Sequence, residues 1–72
     1  MYSFTRTGGD DTILVMVNLT DKSADLPGEV AELLGDGVAE SQILLSTYDA
    51  VHSVKSVARG ELARWEGVVI QL

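Results

Sequence analysis

The sequence predicts an all-β fold, a small antiparallel β-sandwich with Greek-key-like connections. Three observations predict it. Apolar residues come in short runs, with a period of two where the pattern is clearest. Gly, Asp and Pro turns separate those runs at regular spacing. Only one segment, 29–34, spaces its apolar residues as a helix does, and it has room for one or two turns.

The elements follow in order. Tyr2 to Thr7 alternates aromatic with hydroxyl residues, which predicts a strand with Tyr2 and Phe4 turned to the core. Gly8, Gly9, Asp10 and Asp11 form a hairpin turn, because glycine accepts positive φ and aspartate bonds its own backbone. Thr12 to Leu19 is the next strand, unbroken in apolar residues from Ile13 to Val17, and Asn18, Thr20, Asp21 and Lys22 close it. Ser23 to Leu26 is a short strand stopped by Pro27 and Gly28. Val30, Leu33 and Leu34 give the helical spacing, and Gly35, Asp36 and Gly37 end that turn. Gln42 to Ser46 is a strand around Ile43, Leu44 and Leu45. Val51 to Val57 alternates loosely and is read as a strand, with Val54 and Val57 out of phase. Leu62 marks a short extended piece, and Gly67 to Leu72 is the last strand. No repeat, low-complexity segment or linker interrupts the chain, so residues 1–72 form one domain.

A domain this small buries only ~60% of the surface its unfolded chain exposes. The chain has no cysteine and a single histidine, His52, so disulfides, thiolate metal sites and His-rich metal sites are excluded. No apolar run approaches the ~18 residues of a membrane span. The start, Met1 to Arg6, lacks the pattern of a signal peptide. These features suit a cytoplasmic protein. The net charge is −6, and residues 10 to 49 carry nine acids against one base, Lys22. Such a surface repels phosphate, so neither nucleic acid nor an anionic membrane is an expected partner.

Candidate chemistry is sparse. Asp10 and Asp11 sit in a Gly-Gly turn, where a structural role accounts for them, and they lack the remaining ligands of a calcium loop. Ser53, His52 and Asp49 supply the residue types of a triad, but no nucleophile elbow accompanies them. Gly8 and Gly9 are not followed by the Lys-Ser/Thr pair of a phosphate loop. Asn18-Leu19-Thr20 matches a glycosylation sequon, which matters only in a secreted protein. No catalytic residue, cofactor or metal is therefore expected. Trp65 suits a core or interdomain packing position, with sugar stacking as the alternative.

Three stretches, Ile13 to Val17, Ile43 to Leu45 and Val68 to Ile70, are apolar on both strand faces. A sheet with one wet face alternates apolar with polar residues. Both faces should therefore be covered, and 72 residues barely supply a third layer. The expected cover is another domain or subunit; a loop or the 29–34 turn is the alternative.

Five segments recur in a set order: the aromatic strand Tyr2-Ser3-Phe4-Thr5-Arg6-Thr7, the aliphatic strand from Ile13 that ends Asn18-Leu19-Thr20, Leu26-Pro27, Ile43-Leu44-Leu45-Ser46-Thr47-Tyr48, and the closing Leu62-Ala63-Arg64-Trp65-Glu66-Gly67-Val68-Val69-Ile70. Taken together they resemble the C-terminal β domain of bacterial α-glucosidases of the α-amylase superfamily, the oligo-1,6-glucosidase, dextran glucosidase and sucrose-cleaving group. Arg64 stands where the family has proline, Gly67 where it has alanine and Thr47 where it has asparagine. The resemblance implies a parent (β/α)₈ barrel hydrolase of α-1,4 or α-1,6 glucosides. Its catalytic carboxylates lie in the barrel and have no counterpart here. It implies a non-catalytic domain at the end of that polypeptide, with the barrel as partner. Direct sugar binding is not expected. By the same analogy Arg6 and Trp65 lie at the contact with the barrel or in the domain core.

Overall fold

The computed structural model describes residues 2–35 and 37–72, so the expected turn residue Asp36 and the question of Met1 lie outside the described residues. Among the described residues six strands and two helices follow in chain order. They are β1 (Tyr2–Gly8), β2 (Asp11–Val17), β3 (Ala24–Asp25), α1 (Gly28–Leu34), β4 (Ile43–Ser46), α2 (Ala50–Arg59), β5 (Glu61–Leu62) and β6 (Gly67–Gln71). A 3-10 turn, Glu40–Gln42, leads into β4.

The main sheet has four strands in the order β1-β2-β6-β4, each antiparallel to its neighbour. β1 and β2 form the expected hairpin: Gly8 pairs with Asp11, and Gly9 turns the chain with a φ of 59°. The last strand slots between β2 and β4. One irregularity, between Ile43 and Leu45, shifts the register of β4 against β6. β3 and β5 pair separately as a two-residue ladder, because Pro27 stops β3 early.

The fold is β-rich but not an all-β sandwich. One face of the sheet presents Leu14 and Met16 of β2 and Val68 and Ile70 of β6, all buried. Against them pack Val30 and Leu34 of α1, Val57 of α2 and Leu62 of β5. The second layer is thus two helices and a minimal ladder in place of a second sheet. The segment read as a strand, 51–57, is the middle of α2. The side chain of Asp49 accepts from the His52 amide at 2.7 Å and so caps the first turn. Gly60 ends the helix in the left-handed region at φ 78°. Ser53, Ser56 and Val57 make its buried stripe, spaced three and four apart. Two of those three are serines, which is why the stripe does not read as apolar in sequence.

The helical spacing at 29–34 is realised as α1, with Val30 and Leu34 buried and Leu33 exposed. No helix among the described residues is long and apolar enough to cross a membrane.

Candidate functional site

The pleat sends alternate residues of each strand to opposite faces. With Leu14, Met16, Val68 and Ile70 turned to the core, Ile13, Val15, Val17 and Val69 face outward. Cross-strand partners share a face, so the registers Tyr2 to Val17, Phe4 to Val15 and Leu45 to Val69 place Tyr2, Phe4 and Leu45 with them. The expectation that Tyr2 and Phe4 lie in the core is overturned. They stand 59% and 44% exposed on the outer face, with their rings edge to face 5.6 Å apart. The core side of β1 carries Ser3, Thr5 and Thr7 instead.

This outer face is apolar and open. It holds a shallow groove of about 350 Å³ lined chiefly by Val15, Val17, Leu45, Thr47, Gly67 and Val69. Every lining residue belongs to the sheet or to Thr47 beside it, so no described helix or loop covers it. Leu45 is 69% exposed there. The doubly apolar strands are thus present as expected, and the turn at 29–34 covers the other face. A contiguous apolar patch of this kind marks an interaction surface in most soluble domains.

Trp65 stands just beyond one end of the groove. It is 56% exposed and takes a positive φ of 56°. That conformation is strained for a residue with a Cβ, and hydrogen bonds on both sides hold it. Its amide donates to the Thr20 carbonyl at 3.1 Å, and its carbonyl accepts from Thr47 Oγ1 at 3.3 Å. Thr47 Oγ1 also accepts from the Gly67 amide at 2.9 Å, tying the end of β4 to the start of β6. Trp65 is therefore not a core residue. Arg6 is exposed too, on the outer side of β1. Neither occupies the core position that was one of the two expected for it.

Behind Trp65 lies a polar cluster that sequence reasoning missed. Glu66 is fully buried. Its carboxylate accepts from Ser53 Oγ, Ser56 Oγ and the Ala63 amide, each at 2.8 Å. Burying a carboxylate is costly unless such bonds satisfy it. His52 Nε2 lies 3.6 Å from the same carboxylate, too long for a hydrogen bond, and has no hydrogen-bond partner among the described residues. The Tyr48 ring stacks on the imidazole at 4.4 Å. The signal for Glu66 was its position as a lone acid between the apolar stretches at Leu62 and Val68.

The triad residue types do not assemble. Ser53 Oγ bonds Glu66 and Ser46, and Asp49 bonds the His52 backbone. Asn18 is also buried, and its amide nitrogen is committed to the carbonyls of Lys22, Leu62 and Ala63, so the sequon residue serves the fold. Among the described residues no three His, Asp or Glu side chains gather as a metal site.

No family model, no curated protein and no solved structure matches this chain.

Proposed function

We propose that this chain is a non-catalytic β-rich domain that docks through the outer face of its four-stranded sheet onto a larger body. The body proposed is the (β/α)₈ barrel of a cytoplasmic α-glucosidase of the same polypeptide. The observation that carries the docking is the open apolar groove between β2, β6 and β4, which a domain working alone would leave wet. The resemblance of the strands, in order, to the C-terminal domain of those glucosidases supports the identity of the body. Arg6 and Trp65 fit this reading as rim residues of the contact.

An antiserum raised against the chain tests it on an extract of the source cells. The expected result is a band far heavier than the 7.7 kDa of these residues, whose immunopurified protein hydrolyses α-1,4 or α-1,6 glucosides. A band at 7.7 kDa sinks the reading. A heavy band without glucosidase activity keeps the docking and removes the barrel.

The exposure of Trp65 favours a second reading, a freestanding sugar-binding module. Trp65 is the only tryptophan, so its fluorescence reports directly on contact with a sugar ring. Saturable quenching by malto- or isomalto-oligosaccharides would establish that reading in place of docking.

A further inference from the structure

The outer face is not the only unfinished surface. β1 is an edge strand, and among the described residues it pairs with β2 alone. Its seven residues run in unbroken register, without bulge, proline or lysine, the devices that usually blunt an edge. We infer that β1 pairs antiparallel with β1 of a second copy of this chain, joining two four-stranded sheets into one of eight.

The hydrogen-bond phase of the sheet defines which atoms are free. Asn18 donates to Glu66 and Leu72 donates to Thr12, so the even-numbered residues of β2 turn their backbone groups toward β6. The odd-numbered ones, Ile13, Val15 and Val17, then bond β1 through their partners Arg6, Phe4 and Tyr2. What remains on the free edge are the amides and carbonyls of Ser3, Thr5 and Thr7.

A two-fold axis at Thr5 pairs these free groups with themselves. Thr5 meets the second copy's Thr5, and Ser3 meets the second copy's Thr7, all as hydrogen-bonded pairs. The intervening residues fall at close, non-hydrogen-bonded positions. Phe4 then faces the second copy's Arg6, a cation over an aromatic ring, and Tyr2 covers the second copy's Gly8. On the other face every pair is hydroxyl to hydroxyl. This register uses all seven residues of β1. A shift of the axis toward Arg6 sets arginine against arginine, and a shift toward Phe4 leaves the end of the strand unpaired. β1 contains Arg6 and no acid, so no carboxylate of the strand faces another across the axis.

These 72 residues contain no cysteine, so a cross-link that a single cysteine adds over the wild-type protein reads the register. At a hydrogen-bonded antiparallel pair the Cα atoms are about 5.5 Å apart, within reach of a disulfide. Each substitution is placed in the full-length coding sequence, and mild oxidation is followed with the antiserum. Thr5→Cys is expected to double the mass of its band. Ser3→Cys and Thr7→Cys are each expected not to cross-link alone but to cross-link when mixed. The mass of the uncross-linked band reports on the docking proposal and its doubling on this one, so each can fail separately. Sedimentation of the wild-type protein is expected to give a dimer. Thr5→Pro removes an outward amide, a change an edge strand tolerates, and is expected to give a folded monomer by circular dichroism. A wild-type protein that stays monomeric at high concentration overturns the inference. So does self-cross-linking at Ser3, or a dimer that survives Thr5→Pro.

Discussion

Glu66 ties a helix to the end of the sheet through a fully buried carboxylate. Its carboxylate joins α2, through Ser53 and Ser56, to the turn at Ala63, and its own backbone continues into β6. Replacing it with alanine strands three donors in the interior, and one unsatisfied buried group alone costs about 1–3 kcal/mol. Glu66→Ala is therefore expected to lose about 3 kcal/mol in a urea titration. Glu66→Gln should lose far less. Its amide oxygen can still accept from Ala63 and Ser56, and its amide nitrogen can donate to Ser53, whose hydroxyl turns toward Ser46. Equal losses for the two variants would mean that the charge itself matters, in an interaction with His52. The same scale explains why the interior polar set was hard to read. A glutamate between Trp65 and Gly67 looks like a surface residue until the serines of a helix ten and thirteen residues away are brought to it.

At the scale of the element, α2 is the instructive case. Val51, Val54 and Val57 are spaced three apart, and β-branched residues favour strands, so propensity and pattern pulled in different directions. The ends resolve the conflict. Asp49 satisfies an amide of the first turn and Gly60 supplies the left-handed stop, so the helix is closed at both ends. Asp49→Ala is expected to lower stability by about 1 kcal/mol. Gly60→Ala is expected to cost about 1–2 kcal/mol. A Cβ there meets nothing within 4 Å, so the cost is one of backbone strain and not of a clash. Both losses should appear together with reduced helical signal in far-ultraviolet circular dichroism. If neither changes stability, the helix is held by the packing of Val57 and the bonds of Ser53 and Ser56 to Glu66. The hairpin of β1 and β2 needed no such arbitration, because its Gly-Asp turn and its apolar stretch agree.

At the scale of the whole molecule, the decisive feature is one covered face and one open face. The covered face uses both crossovers, with α1 and β3 in the first and α2 and β5 in the second, and no helix among the described residues packs on the other side. An apolar dye is expected to bind the folded chain at the groove. Leu45→Lys, at an exposed position on the edge strand β4, should reduce that binding while moving stability by no more than about 0.5 kcal/mol. Dye binding that is unchanged in Leu45→Lys would place the dye elsewhere, and the groove would lose its claim as the docking surface. No acidic residue interrupts the apolar stretches of β2, β4 and β6, so this face stays adhesive in an acidic chain.

The sequence by itself determined β1, β2, β4, β6 and the turns that bound them, because period-two patterning and Gly, Asp and Pro chemistry are local, but it read 51–57 as extended where the chain is helical. It also showed that three strands are apolar on both sides, which foretold the open face. Only the tertiary structure decided what lies across the sheet from Leu14 and Ile70. Two of the three residues in the buried stripe of α2 are serines, and it becomes a packing surface only when Glu66 arrives to accept their hydroxyls. Tertiary structure likewise sent Tyr2 and Phe4 outward. Alternation tells which residues share a face, but which face is buried depends on where the crossovers run, and that is a property of the assembled chain.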